Sequence, residues 1–394
     1  MTDLETRVAP PHAPLPRRAA PALLGYAAVR ALGLLALAVW SATRGKSAHT
    51  LLTARWDSLW YARVAGPGYG YEVRLPNGDV HSNLAFFPLL PWLERLLHAV
   101  TPLSYADAGL VVSLLASLAA AGGIFAVAER VYGTRVGVCA VLLWAVLPVG
   151  IVQSMAYSES LFTALAAWSL YAVLTGRWVS AGVVAAAAGL TRPVGAAVVA
   201  AVWTAAVVSF VRDRSAARVQ GAHGEEHAPA WRRVLGMLLA PLGAAAYVLW
   251  VGHRTGKGPL GYLDVQAGWR NGFDGGYAFA RFVADKFTSI PSALAGVGLI
   301  AGVALLIWLY VICVRQRQPV ALLVYTGVVL ALALCASSYF GSKPRLLMPA
   351  FPVLLPLARA LARARTSRSV LVTAGLAVAS AIYGAFWLNG SGPP

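Results

Sequence analysis

Charge is scarce in this 394-residue chain and mostly of one sign: charged residues make up 12% of it, 15 acidic against 32 basic. A soluble domain carries about 25% charged residues, so a water-exposed surface along the whole chain is excluded. Cysteine is scarcer still. Cys139, Cys313 and Cys335 all lie inside apolar runs without metal-ligand spacing, which excludes a disulfide framework and a zinc site. There is no Asp-x-Asp pair or histidine cluster around Asp57, so spacing calls for no metal and no other cofactor. Only Glu72 or Asp79, brought close in space, would complete a divalent site. Internal repeats are lacking too: Phe87-Pro88-Leu89-Leu90-Pro91 and Phe351-Pro352-Val353-Leu354-Leu355-Pro356 look alike, but their flanks do not extend the match.

Apolar residues fill the space that charge leaves, at 59% of the chain and a mean hydropathy of +0.67. This is the balance of an all-α, polytopic integral membrane protein. Spans of roughly 20 residues account for almost the whole length as about eleven helices and leave no room for a separate soluble domain. Residues 1–20, proline-rich with Arg7, Arg17 and Arg18, read as a disordered cytoplasmic tail ahead of one membrane-embedded domain, 21–394. The first span, from Pro21 to Ala42, reads as an uncleaved helix rather than a signal peptide. A long tail precedes it, Arg30 interrupts it and no small-residue cleavage site follows. Further apolar runs cover 108–128, 136–152, 158–174, 178–211, 234–252, 291–314, 319–338, 345–362 and 369–388. Thr191-Arg192-Pro193 splits the 178–211 run into two short segments that meet at membrane depth.

Basic residues in short connections set the orientation. Arg130 and Arg135, then Arg177, then Arg212, Arg214, Arg218, Arg232 and Arg233, then Arg315 and Arg317, then Arg363, Arg365 and Arg368 all fall on the side of the tail. The formal charge of +17 therefore reads as topology at an anionic cytoplasmic leaflet, and no nucleic-acid partner is expected. The opposite side receives a first external loop, 43–107, the turn Tyr157-Ser158-Glu159-Ser160, a second loop, 253–289, and Ser342-Lys343-Pro344-Arg345.

In the first external loop, Trp56, Leu59 and Trp60 recur at helical spacing, as in a helix lying in the membrane interface, with Asp57 between aromatic neighbours. Asp57 is either a helix cap or a general base: transfer of a group to a hydroxyl requires removal of that hydroxyl's proton, which a positioned carboxylate accepts. Trp56, Trp60 and Tyr61 would supply a partly dry surface for a sugar ring or lipid tail. Glu159, at the mouth of a span, either binds acceptor hydroxyls or pairs with Arg192. Arg192, at a broken helix, either pairs helices or offers a planar fork of donors to a phosphate. Lys343 and Arg345 suit a lipid phosphate or plain headgroup anchoring. His81 and Asn83 orient sugar hydroxyls or close the loop. Trp269, Tyr277 and Phe279 read as an aromatic belt, and the Pro76-Asn77-Gly78-Asp79 stretch as a turn of no assigned role.

Five stretches in order carry a resemblance. They are Trp56-Asp57; Gly68-Tyr69 with Tyr71 and Glu72; Asn83 through Pro91; Tyr157-Ser158-Glu159-Ser160-Leu161-Phe162; and Gly189-Leu190-Thr191-Arg192-Pro193-Val194-Gly195. Together they resemble the PIG-V family, the second mannosyltransferase of GPI-anchor assembly, and its bacterial relatives. The likeness is good over residues 50–200; beyond them it rests on hydropathy and on Lys343-Pro344-Arg345 leading to Pro349-Ala350-Phe351-Pro352. It implies a GT-C type glycosyltransferase with a catalytic acidic residue in the first non-cytoplasmic loop, matched here by Asp57, and a polyprenyl-phosphate-linked sugar as donor. The Ala- and Arg-rich composition resembles that of high-GC bacteria, most of which lack GPI anchors. The expected partners are therefore the polyprenyl-phosphate sugar, a lipid or glycolipid acceptor and membrane lipids, at a bacterial plasma membrane crossed many times with the N-terminus cytoplasmic. A flippase for lipid-linked sugars would use the same aromatic and cationic groups but need no base, and a structural subunit of an envelope-assembly complex would need neither.

Overall fold

The computed structural model describes residues 14–220, 229–337 and 339–390. The architecture is all-α apart from two two-stranded ladders, each only two or three residues long. Most of the expected tail lies outside the described residues, but its end does not: the first helix starts at Leu15 and continues to Thr43, with Pro21 inside it. Pro16, in the first turn, removes an N–H that would have no intrahelical partner, whereas Pro21, a turn further in, removes one that the helix would use.

Among the described residues six helices are long and apolar enough to cross a membrane: Leu15–Thr43, Tyr105–Tyr132, Gly195–Ser215, Ala230–Thr255, Ile290–Arg315 and Thr366–Leu388. Thr134–Ala145, Glu159–Leu174, Trp178–Gly189 and Val320–Cys335 are apolar but shorter. Phe340–Leu346 and Phe351–Arg363 pass as one span only if a 75° bend is allowed. The chain is thus a multi-pass membrane protein, but several apolar runs that read as whole spans end early. The run at 136–152 stops at Ala145 and turns into the 3-10 segment Gly150–Ser154, where the Arg30 guanidinium takes the carbonyls of Ala145 and Gly150. The break at Thr191-Arg192-Pro193 is where expected, yet its two arms are unequal, Trp178–Gly189 and the 26-residue Gly195–Gln220.

Small residues let these helices meet closely. A Cβ on Gly182 would collide with the Gly236 backbone, so Trp178–Gly189 and the helix from Ala230 touch main chain to main chain. The largest buried side chains include Tyr26, Phe125, Trp144, Phe162, Tyr325 and Phe351, drawn from six different stretches of chain. Tyr26 stacks on Trp144 at 5.5 Å, and Trp144 Nε1 donates to the Met348 carbonyl at 3.1 Å, which ties the first helix to the segment after Arg345.

The two ends of the bundle differ. At one end, Arg18 pairs with Glu129 at 2.8 Å, Arg135 donates to the Ala364 carbonyl at 2.7 Å and Tyr132 reaches Gln316 at 3.1 Å. The connections around Arg130, Arg315 and Arg363, three of those singled out by sequence, meet there. At the other end, residues 43–107 form short helices, Ala48–Thr53 and Asp57–Ala65, and the amphipathic Leu89–Val100. Between them lies a hairpin that pairs Glu72–Arg74 with Val80–Ser82.

Candidate active site

Asp57 opens the helix Asp57–Ala65. Its position is set by what precedes it. Ser58 Oγ accepts from the Arg55 N–H at 3.0 Å and donates to the Arg55 carbonyl at 2.6 Å, which closes the turn ahead of the helix. Trp56 takes φ +50°, a left-handed conformation that a bulky residue adopts at a cost of about 1–3 kcal/mol. Arg55 holds it there, with its guanidinium 3.9 Å above the Trp56 ring and bonded to the carbonyls of Leu388 at 2.7 Å and Gly390 at 3.2 Å. The last helix of the chain thus fixes the first residue of the site.

The Asp57 carboxylate accepts from Arg345 Nη1 through Oδ2 at 2.6 Å, and among the described residues nothing bonds Oδ1. Arg345 Nη1 also lies 3.5 Å from Glu159 Oε1, and Glu159 Oε1 lies 2.6 Å from Arg192 Nη1. Arg192 Nη1 donates to Ser158 Oγ at 3.1 Å, and Ser158 Oγ is 2.6 Å from Tyr61 Oη. Tyr61 follows Asp57 by four residues on the same helix face. The interactions therefore close on themselves, through residues of the 43–107 segment, the 157–160 turn, the helix break and the segment after Ser342. Two carboxylates meet two guanidinia, so the buried charges compensate one another. Tyr157 completes the floor, its ring 5.1 Å beneath the Arg345 guanidinium.

Of the sequence-predicted residues, Asp57, Tyr61, Glu159, Arg192 and Arg345 are brought together. Glu159 is 1% exposed and pairs with Arg192 through Oε1, in line with its pairing role, while Oε2 bonds nothing among the described residues. Tyr61 is buried with its hydroxyl on Ser158, so it anchors the helix rather than facing a substrate; burial pushes its pKa up. Trp60 stacks on Phe86 at 5.6 Å and meets Trp269 edge-on at 4.8 Å, forming a wall one turn after Asp57.

Three expectations move away from substrate. Asn83 is fully buried; its amide oxygen accepts from the Gly70 N–H and its amide nitrogen donates to the Gly68 carbonyl, both at 3.0 Å, so it staples the loop. Lys343 is buried with its ammonium on the carbonyls of Ala333 and Ala336, at 2.7 and 2.8 Å. It caps the helix Val320–Cys335, whose last carbonyls lack intrahelical partners, and neither a phosphate nor a headgroup. His81 stacks flat on Trp269 at 4.0 Å; burial lowers its pKa, opposed by Asp79, and favours the neutral ring.

Other groups were not found by sequence reasoning. Trp269, read as belt, donates to the Ser82 carbonyl at 3.0 Å and packs against Trp60, so the second external loop builds the site wall. The turn at Asn77-Gly78-Asp79 has a role: Asp79 accepts from Arg270 Nε at 2.6 Å, which ties the hairpin to that second loop. Ser158 had no signal beyond its place in the Tyr157-Ser158-Glu159 turn. Glu94, in the interfacial helix Leu89–Val100, is 1% exposed, and burial holds its carboxyl well above the usual carboxylate range. Gly109 makes room for it, since a Cβ there would meet the Glu94 carboxylate.

The family model of dolichyl-phosphate-mannose-protein mannosyltransferases matches residues 83–223, a stretch that contains Ser158, Glu159 and Arg192 but neither Asp57 nor Arg345. No curated protein sequence matches the chain. Among solved structures, ArnT from Cupriavidus metallidurans bound to undecaprenyl phosphate matches at 16% identity with a TM-score of 0.50, covering 87% of this chain and 62% of that one. The apo oligosaccharyltransferase of Archaeoglobus fulgidus is matched over 94% of this chain and 56% of that one, at 14% identity and a TM-score of 0.47, too low to carry an argument. The chain thus spans under two thirds of the length of either protein. It shares its fold, a GT-C-like arrangement of membrane helices, with ArnT.

Proposed function

We propose that the chain is a membrane glycosyltransferase that moves mannose from a polyprenyl-phosphate donor to a lipid or glycolipid acceptor, as in the PIG-V family that its motif order resembles. One observation carries this reading: a carboxylate in the first external loop lies 2.6 Å from a buried guanidinium, with a second guanidinium held alongside through Glu159. A base and an anion-binding group placed side by side are what sugar transfer from a lipid phosphate requires. The phosphate-bearing lipid in the ArnT structure and the mannose-phosphate donor named by the matching family model support the donor class.

In this reaction the acceptor hydroxyl attacks the sugar's anomeric carbon, the bond from that carbon to the phosphate oxygen breaks, and the hydroxyl proton passes to Asp57. Single displacement inverts the anomeric centre. Asp57, on a wet helix N-terminus with one carboxylate oxygen uncommitted, is oriented by Arg345 and remains open to an acceptor. The aromatic wall of Trp60, Phe86 and Trp269 excludes water on one side.

The site lies at the end of the bundle away from the basic connections and therefore faces away from the cytoplasm. Cysteine placed at Ser47 should react with an impermeant thiol reagent in intact cells and cysteine at Ser215 should not; the reverse pattern would place the site on the nucleotide-sugar side. The deciding assay incubates purified protein in lipid with labelled polyprenyl-phosphate mannose and total membrane lipids, and identifies the labelled product. Release of labelled mannose to no acceptor, or transport without transfer, would end the transferase reading.

A further inference from the structure

Arg345 binds the proposed base itself, at 2.6 Å, rather than waiting in a site of its own for phosphate. We propose that Arg345 is a shared counter-ion that changes partner during turnover: it neutralises Asp57 before transfer and the departing lipid phosphate after it. This inference rests on the transferase reading above.

Charge conservation motivates it. The donor is a phosphodiester and carries one negative charge. When the anomeric carbon leaves its phosphate oxygen, that oxygen keeps the bonding electrons, and the lipid becomes a phosphomonoester that is mostly dianionic near neutral pH, its second pKa being about 6. Over the same step Asp57 takes the acceptor's proton and becomes neutral. One unit of negative charge has moved from the Asp57 carboxylate to the phosphate, and the buried cation beside Asp57 loses its reason to stay there. In surroundings that penalise uncompensated charge, a guanidinium follows the anion.

The surroundings of Arg345 allow this exchange. Its side chain is 10% exposed, so its charge is not left to water, and Glu159 at 3.5 Å keeps a second carboxylate in reach while the first is lost. Glu159 is in turn held by Arg192 at 2.6 Å and cannot follow. Arg345 Nε is buried and bonds nothing among the described residues, so this donor gains a partner only when the side chain turns toward an anion. The Tyr157 ring beneath the guanidinium gives it a flat surface on which to turn without leaving a π-face.

The counter-ion exchange predicts an outcome opposite to that of simple damage. Asp57→Asn imitates the neutral, post-transfer base, frees Arg345 and should therefore bind polyprenyl phosphate more tightly than the parent, although it transfers no sugar. A gain of roughly tenfold is expected, the size of one charge-assisted hydrogen bond redirected to the ligand. The measurement is binding of undecaprenyl phosphate to purified, monodisperse protein in nanodiscs, for the parent, Asp57→Asn, Arg345→Ala and the double variant, each confirmed folded at the assay temperature by its circular-dichroism spectrum. Tighter binding by Asp57→Asn that disappears in the double variant supports the exchange. Unchanged or weaker binding by a folded Asp57→Asn overturns it, as does a gain that survives Arg345→Ala. A parent that binds no polyprenyl phosphate at all removes the transferase reading instead.

Discussion

Arginine is used differently at the two ends of the bundle. At the basic end Arg135, on the surface, caps the carbonyl of Ala364, and Arg18 meets a single carboxylate with a third of its side chain still exposed. At the opposite end Arg192 and Arg345 are 14% and 10% exposed and share carboxylates in a closed ring, with Glu159 between them at 1%. An exposed arginine keeps its hydration and can be lost cheaply. One withdrawn from water persists only where acceptors replace that water, backbone carbonyls around Arg30 and carboxylates around Arg192 and Arg345. The difference separates cations left in contact with water from cations committed to one buried network, which a count of basic residues cannot do.

The comparison breaks most visibly at Asp57. Asp57→Asn keeps the size and much of the hydrogen bonding, and should slow transfer about 100-fold to 10,000-fold, equivalent to roughly 3–5 kcal/mol of barrier, without unfolding the protein. Asp57→Glu should be nearly as slow, since it displaces the carboxylate from its place beside Arg345. Single-turnover mannose transfer at saturating donor measures both, and a rate within a few-fold of the parent for Asp57→Asn would return Asp57 to the role of a helix cap.

Arg192→Met tests whether the ring is a unit. Leaving Glu159 buried with only the longer contact to Arg345 should cost about 3–5 kcal/mol of stability, seen as a large fall in the detergent or denaturant midpoint. A small change would mean that water enters the break and the charges are not coupled.

Tyr61→Phe and Ser158→Ala should each cost on the order of 1 kcal/mol, with the double variant losing little more than either one, because both remove the same buried hydrogen bond. A double-mutant cycle on stability checks this, and additive losses would show that Ser158 serves Arg192 alone. Arg135→Ala, at the other end, should stay within about 0.5 kcal/mol of the parent in stability and keep its transfer rate. A severe defect there would erase the distinction between the ends.

Much of this protein was legible from composition and pattern. The multi-pass helical class followed from apolar run length, because a backbone in hydrocarbon must satisfy its own hydrogen bonds. The break at Thr191-Arg192-Pro193 followed from proline chemistry, and Asp57 stood out as a lone carboxylate among aromatics. Less legible were the span ends: Arg30 looks like an interruption of one helix, yet it serves to end another, 115 residues away, by taking its carbonyl. A long-range cap leaves no local periodicity to read.

The site itself shows where sequence stops. Residue type announced that Asp57, Glu159, Arg192 and Arg345 had to be explained, since an ionisable group in an apolar chain needs a partner. Which partner each one has was decided by the packing of segments 288 residues apart, as between Asp57 and Arg345. The same packing sent Lys343, two residues before Arg345, away from the site to cap a helix, although the two cations read alike in sequence. Trp269 joined the wall beside Trp60 only because the second external loop folds over the first. Local chemistry sets what a side chain needs, whereas the distance to what satisfies it is a property of the whole fold.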